Sequence, residues 1–117
     1  MLTANDIKEL CSKGELSLVD YKLKQYDLEG DDREKSKFVK DILAFANTHS
    51  TRNDRGYILI GVEEDASVHL GIIKGVDRVW DSNVFRQLAD SKINRKVPFE
   101  VYPIKVDGSV VQVIEIP

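Results

Sequence analysis

The residues of this chain best suited to do chemistry are its cations, because they fall in two runs. Between Arg33 and Arg55 stand Arg33, Lys35, Lys37, Lys40, Arg52 and Arg55 against only Glu34, Asp41 and Asp54. Between Arg86 and Lys105 the cations Arg86, Lys92, Arg95, Lys96 and Lys105 face only Asp90 and Glu100. Guanidinium and ammonium groups make charge-assisted hydrogen bonds to phosphate oxygens, so either run could follow a phosphate backbone. The net charge of −3 argues against an indiscriminate polyanion binder. An uneven spread of charge still allows one positive face on a slightly acidic protein. The plainer account of any single run is a solvated helix face.

Other reactive groups are few. Tyr57 follows Arg52 and Arg55, and a ring beside two guanidinium groups could meet a base and its phosphates; the plainer account is a core tyrosine at a strand start. Lys22 is two residues from Asp20 and so shares its strand face, where it could reach a phosphate oxygen or simply form a local ion pair. His49 and His69 have no second histidine or cysteine at metal-ligand spacing and read as surface residues. Trp80 reads as a core or interface anchor. No glycine-rich phosphate loop is present. Cys11 is the only cysteine, and with no zinc spacing or secretory signal the expected setting is cytoplasmic. No apolar run approaches the roughly 18 residues that span a bilayer.

The elements that must position these groups can be read from periodicity. At 117 residues the chain is the size of one domain, 1–117. Thr3 to Gly14 reads as a short helix with Thr3 as cap and Gly14 as stop. Val19 to Lys24 alternates, which predicts a strand with Val19, Tyr21 and Leu23 inward. Asp31 and Glu34 have capping spacing ahead of a helix over 34–47, whose Phe38, Ile42, Phe45 and Ala46 form an apolar stripe opposite Lys35, Lys37 and Lys40. A polar loop over 48–55 leads to the continuous apolar run Tyr57 to Val62, expected as a central strand buried on both faces, with Val68 to Ile73 pairing beside it. Asp81 to Ile93 is expected to be a helix capped by Asp81 or Ser82, with Val84, Phe85 and Leu88 inward. Asp107-Gly108 signals a type I′ hairpin joining Phe99–Val106 to Ser109–Ile116, and Pro103 puts its first arm at an edge or bulge. The expected fold is α/β, a mixed sheet of about five to six strands flanked by two to three helices.

Three segments carry a resemblance. Glu15-Leu-Ser-Leu-Val-Asp-Tyr-Lys22, Phe38-Val-Lys-Asp-Ile-Leu-Ala-Phe-Ala-Asn47 and Gly56-Tyr-Ile-Leu-Ile-Gly-Val-Glu-Glu64 resemble, in order and spacing, the Schlafen AlbA domain family. Its pattern is an acidic residue, an acidic-aromatic-Lys strand, a helix ending in Ala-Phe-Ala-Asn, and a Gly-Tyr-Leu-Leu-Ile-Gly-Val strand followed by acids. The resemblance covers essentially the whole chain and agrees with the Alba-like fold read above. It implies a nucleic-acid-binding module, for DNA or RNA, regulatory and part of a larger protein of which this would be an N-terminal piece. The phosphate contacts would then come from Lys22, Lys37, Arg52, Arg55, Arg86, Lys92, Arg95 and Lys96, with no cofactor required. The resemblance also implies a second reading. Some Schlafen proteins are metal-dependent ribonucleases with three carboxylates, and the matching positions are Glu15, Asp20 and Glu64, which would hold Mg²⁺ or Mn²⁺. Asp20 stands where those nucleases have Glu, and Glu64 where they have Asp. They also pair two related lobes, which a homodimer of this chain could imitate. Binding is read ahead of catalysis; a third reading is a protein-interaction or dimerisation lobe.

Overall fold

A computed structural model describes residues 1–14, 18–49 and 55–117. In chain order its elements are α1 (Ala4–Lys13), β1 (Val19–Lys22), α2 (Asp32–His49), β2 (Gly56–Ile60), β3 (Val62–Glu64), β4 (Gly71–Ile73), α3 (Ser82–Lys92), β5 (Glu100–Val106) and β6 (Ser109–Ile116). The main sheet has the order β1-β2-β6-β5, and β3 with β4 forms a separate two-stranded sheet. β1 is parallel to β2, whereas β2–β6 and β5–β6 are antiparallel. The sheet is therefore mixed, as its α/β pattern predicts.

The central position of β2 follows from its unbroken apolar character. Ile58 and Ile60 enter one core with Phe38 and Ile42 of α2, Phe85 of α3 and Ile114 and Ile116 of β6. Leu59 points into the other core with Ile7 and Cys11 of α1 and Val111 and Val113 of β6. Alternate side chains thus fill two layers, one under α2 and α3 and one under α1.

Local chemistry sets the element ends. The Thr3 hydroxyl accepts from the Asp6 N–H while Asp6 accepts from the Thr3 N–H, a reciprocal cap. Asp31 Oδ1 accepts the Glu34 N–H at 3.0 Å, and Asp81 caps α3 through the Asn83 N–H. The Asp107-Gly108 turn has positive φ at both residues, 49° and 86°, as type I′ geometry requires. Its closing pair Val106–Ser109 makes 106, 104 and 102 the hydrogen-bonded positions of β5, since the pairs alternate in an antiparallel ladder. Pro103 therefore sits on an edge strand where its missing N–H would have pointed away from the sheet.

Four expectations change. The apolar run over 57–62 is two strands, because Gly61 turns at φ 103°; its N–H bonds the Lys22 carbonyl at 2.6 Å and its carbonyl accepts from the Lys74 and Gly75 N–H groups at 2.8 Å each. A Cβ there would lie 3.0 Å from the Gly75 backbone, so glycine permits the close approach. Consequently only Gly71–Ile73 of the predicted 68–73 strand forms, and it pairs with β3 rather than beside β2. The first strand ends at Lys22, and Leu23 is exposed rather than inward. In α3 the fully inward residues are Phe85 and Ala89, with Val84 and Leu88 at the margin of the core. Among the described residues no helix is long and apolar enough to cross a membrane.

Candidate nucleic-acid interface

The predicted phosphate contacts divide into cations used by the fold and cations left to solvent. Arg86 belongs to the first group. Its Nη1 and Nη2 donate to the Val97 and Phe99 carbonyls at 3.0 and 3.1 Å, and its guanidinium lies 3.9 Å from the centroid of the Phe99 ring. This latches α3 to the segment entering β5. Lys22 is half-buried beneath α2, with Nζ 3.2 Å from Asp41 Oδ2 and 5.1 Å from the Tyr26 ring centroid. The Tyr26 hydroxyl donates to the same Asp41 oxygen at 2.5 Å. Burial first, and the Asp41 charge second, push the Tyr26 hydroxyl far up, so it stays a protonated donor. Arg55 donates to Glu115 Oε2 at 2.6 Å, and the Tyr102 hydroxyl donates to Oε1 at 2.6 Å. Glu115 is buried and needs both partners.

The second group lines one side of α2. Arg33, Lys37, Lys40, Ala44 and Asn47 recur at helical spacing and are all exposed, so they form one outward row. It runs about 21 Å along the axis at a rise of about 1.5 Å per residue. Lys37 is held by Glu34 at 3.1 Å. Arg33 and Lys40 make no hydrogen bond or ion pair among the described residues. The row continues onto the chain after α3, because Arg95 Nη2 donates to Asn47 Oδ1 at 3.1 Å, and Lys96 follows, exposed and equally unpaired among the described residues. Lys92 stands 3.6 Å from Asp32 across the α2–α3 contact. Arg52 lies outside the described residues.

The carboxylate positions have different surroundings. Asp20 shares its sheet face with Lys22, opposite Ile58 in the register, and its charge bears on Tyr26 under α2. Glu64 Oε1 is 3.0 Å from His69 Nδ1 at the turn of the β3–β4 hairpin. That turn packs against the end of α1, since a Cβ on Gly14 would lie 2.8 Å from the His69 carbonyl oxygen. Glu15 lies outside the described residues. Among the described residues no three His, Cys, Asp or Glu side chains gather closely enough to hold a metal ion.

The model for the family described as "Schlafen, AlbA_2" matches residues 15–117. The chain belongs to this family. Among solved structures, the N-terminal domain of a "Putative ATP-dependent DNA Helicase RecG-related Protein" from Nitrosomonas europaea is similar at a TM-score of 0.59 and 23% identity; the match covers 100% of this chain and 74% of that one. A Corynebacterium diphtheriae protein is similar at a TM-score of 0.59 and 18% identity, over 94% of this chain and 24% of that one. At these identities the likeness speaks for the fold. No curated protein sequence matches the chain.

Within this AlbA_2 domain, the plainer account of Tyr57 holds: it packs at the margin of the core under α1, and burial, then the Glu115 charge, raises its hydroxyl. Trp80 is a buried anchor whose Nε1 donates to the Tyr26 carbonyl at 2.8 Å. His69 is exposed but sits in the turn before β4, not in a strand. Sequence reasoning passed over Arg33 and Lys40 as contacts, although their spacing with Lys37, 33, 37 and 40, already places all three on one helix face.

Proposed function

We propose that this AlbA_2 domain binds nucleic acid through backbone phosphates, as a regulatory module within a larger protein and not as a catalyst. The observation that carries the reading is the outward row Arg33, Lys37 and Lys40, continued through the Asn47–Arg95 hydrogen bond to Lys96. These cations stand on a helix and its neighbouring segment, and most have no ion partner among the described residues to leave before meeting a phosphate. The Nitrosomonas neighbour is named as related to a DNA helicase, which makes duplex DNA the first probe and single-stranded RNA the second.

The test is fluorescence anisotropy of both labelled probes at rising salt. Affinity should fall with a log–log slope of about −0.9 per neutralised phosphate on duplex, or about −0.7 on single strands. Replacing Arg33, Lys40 and Lys96 together by Ala should flatten the slope by about two to three units on duplex. A slope unchanged by that replacement would overturn the interface.

One observation supports the ribonuclease as a second reading. The hairpin carrying Glu64 and His69 packs against Gly14 at the end of α1, the residue that precedes Glu15 in the sequence. Running the same samples with Mn²⁺ on a denaturing gel tests it. Cleavage abolished by Glu64→Ala would move this reading ahead of the binding module.

A further inference from the structure

Where the cationic row turns from α2 onto the segment after α3, the surface opens into a cavity of about 200 Å³. Its walls are Ala46 near the end of α2, Val97 and Pro98 before β5, and Ile116 and Pro117 where β6 ends, with Arg95 and Lys96 beside them. Resting on the phosphate-binding reading above, we propose that this cavity receives one unpaired nucleobase of the strand whose phosphates lie along the row, so that the domain prefers nucleic acid with an unpaired end to a blunt duplex.

Size, chemistry and continuity argue for this occupant. Cavities for drug-sized ligands start at about 300 Å³, so this one suits a single planar ring and not a whole dinucleotide. The walls are aliphatic, which favours burial of a ring face, while the two residues beside them are cations that complement the phosphates on either side of it. Arg95 is held beside the cavity by Asn47, the last residue of the outward row on α2, so a strand following the row arrives at the cavity.

The walls also limit what can be read. The Val97 carbonyl is already taken by Arg86, and the aliphatic side chains offer no donor or acceptor to a base edge. The cavity accordingly admits any base, and its selectivity is for pairing state and not for sequence.

The experiment compares three labelled DNA probes of equal duplex length: blunt, with a short unpaired overhang, and with the same overhang made of abasic nucleotides. The abasic probe keeps the phosphates and removes the rings. Wild-type protein should bind the natural overhang about fivefold more tightly than the abasic one, at the low end of base-stacking effects because no aromatic ring lines the cavity. The order of affinity should be unchanged when the overhang sequence is altered. Ala46→Leu, which fills the cavity without changing charge, should erase the fivefold preference and leave blunt-duplex binding as it was. Because the abasic comparison uses unaltered protein, the conclusion does not depend on how that variant folds. Equal affinity for natural and abasic overhangs would overturn the base cavity while leaving the phosphate row standing. Salt-insensitive binding, or none, to all three probes would overturn the row itself and the cavity with it.

Discussion

Arg86 and Lys96 belong to the same run of positive charge and do opposite work. Arg86 is turned inward onto two backbone carbonyls and an aromatic ring, whereas Lys96 is exposed and unpaired among the described residues. The other run divides the same way, with Arg55 serving buried Glu115 and Arg33 and Lys40 facing water. A cation is available to a phosphate only when the fold has not already committed it to a buried anion or to backbone carbonyls. Counting charges along the chain finds the runs but not this division.

The division is broken first at Arg86. Arg86→Ala leaves the Val97 and Phe99 carbonyls without their donor and removes the ring contact, so unfolding free energy should fall by about 3 kcal/mol. The salt slope of binding measured on the folded protein should not change. If instead stability holds and the slope flattens, Arg86 belongs with the outward cations. Lys22→Met is the milder version. Asp41 would lose a half-buried ion partner but keep the Tyr26 hydroxyl, which should cost about 1–2 kcal/mol in urea unfolding and leave binding unaltered.

Arg78, outside both runs, is also committed to the fold. It pairs with Glu29 at 2.7 Å and stacks on Trp80, its guanidinium 3.8 Å from the ring centroid. The Arg78 hydrogen bond first, and its charge second, hold the Glu29 carboxyl below its ordinary range. A carboxyl lowered on folding stabilises the fold fully above its unfolded-state pKa, and this is lost as pH falls through the lowered folded value. Glu29→Gln should therefore reduce the drop in Tm on acidification from neutral pH through the carboxylate range. An identical drop in both proteins would show that the pair contributes nothing to the fold.

Much of this architecture is legible from local rules. The caps at Thr3, Asp31 and Asp81, the apolar stripe of α2, the buried central strand and the Asp107-Gly108 turn each depend on residues within a few positions of one another. The turn at Gly61 was less legible, since a glycine inside an apolar run looks like strand until its approach to Gly75, far along the chain, is seen. The partners of the cations were not legible for the same reason. Arg55 meets Glu115 and Lys22 meets Asp41 only after the sheet and helix have come together. One trace was present: Glu115 follows Val111 and Val113 at strand spacing, on the face under α1, and a carboxylate on a buried face calls for a cation.

The finest test of the division uses two acids on one helix. Glu34 and Asp41 each sit beside a lysine, Glu34 3.1 Å from Lys37 of the outward row and Asp41 3.2 Å from Lys22 beneath α2. Neutralising either removes the same charge from α2, so a binding surface governed by total charge alone would respond equally to both. The environments predict otherwise. The Glu34–Lys37 pair is exposed and worth little to the fold, and breaking it frees an outward lysine and removes a repulsive charge from the phosphate path. Glu34→Gln should tighten binding about threefold and steepen the salt slope by a fraction of one contact. Asp41→Asn instead leaves Lys22 half-buried without its anion, so it should lower stability by about 1 kcal/mol and change affinity little, because Lys22 remains covered by α2. Equal tightening in the two variants would mean that the row on α2 acts only as diffuse charge, and that the contrast between Arg86 and Lys96 bears on folding but not on binding.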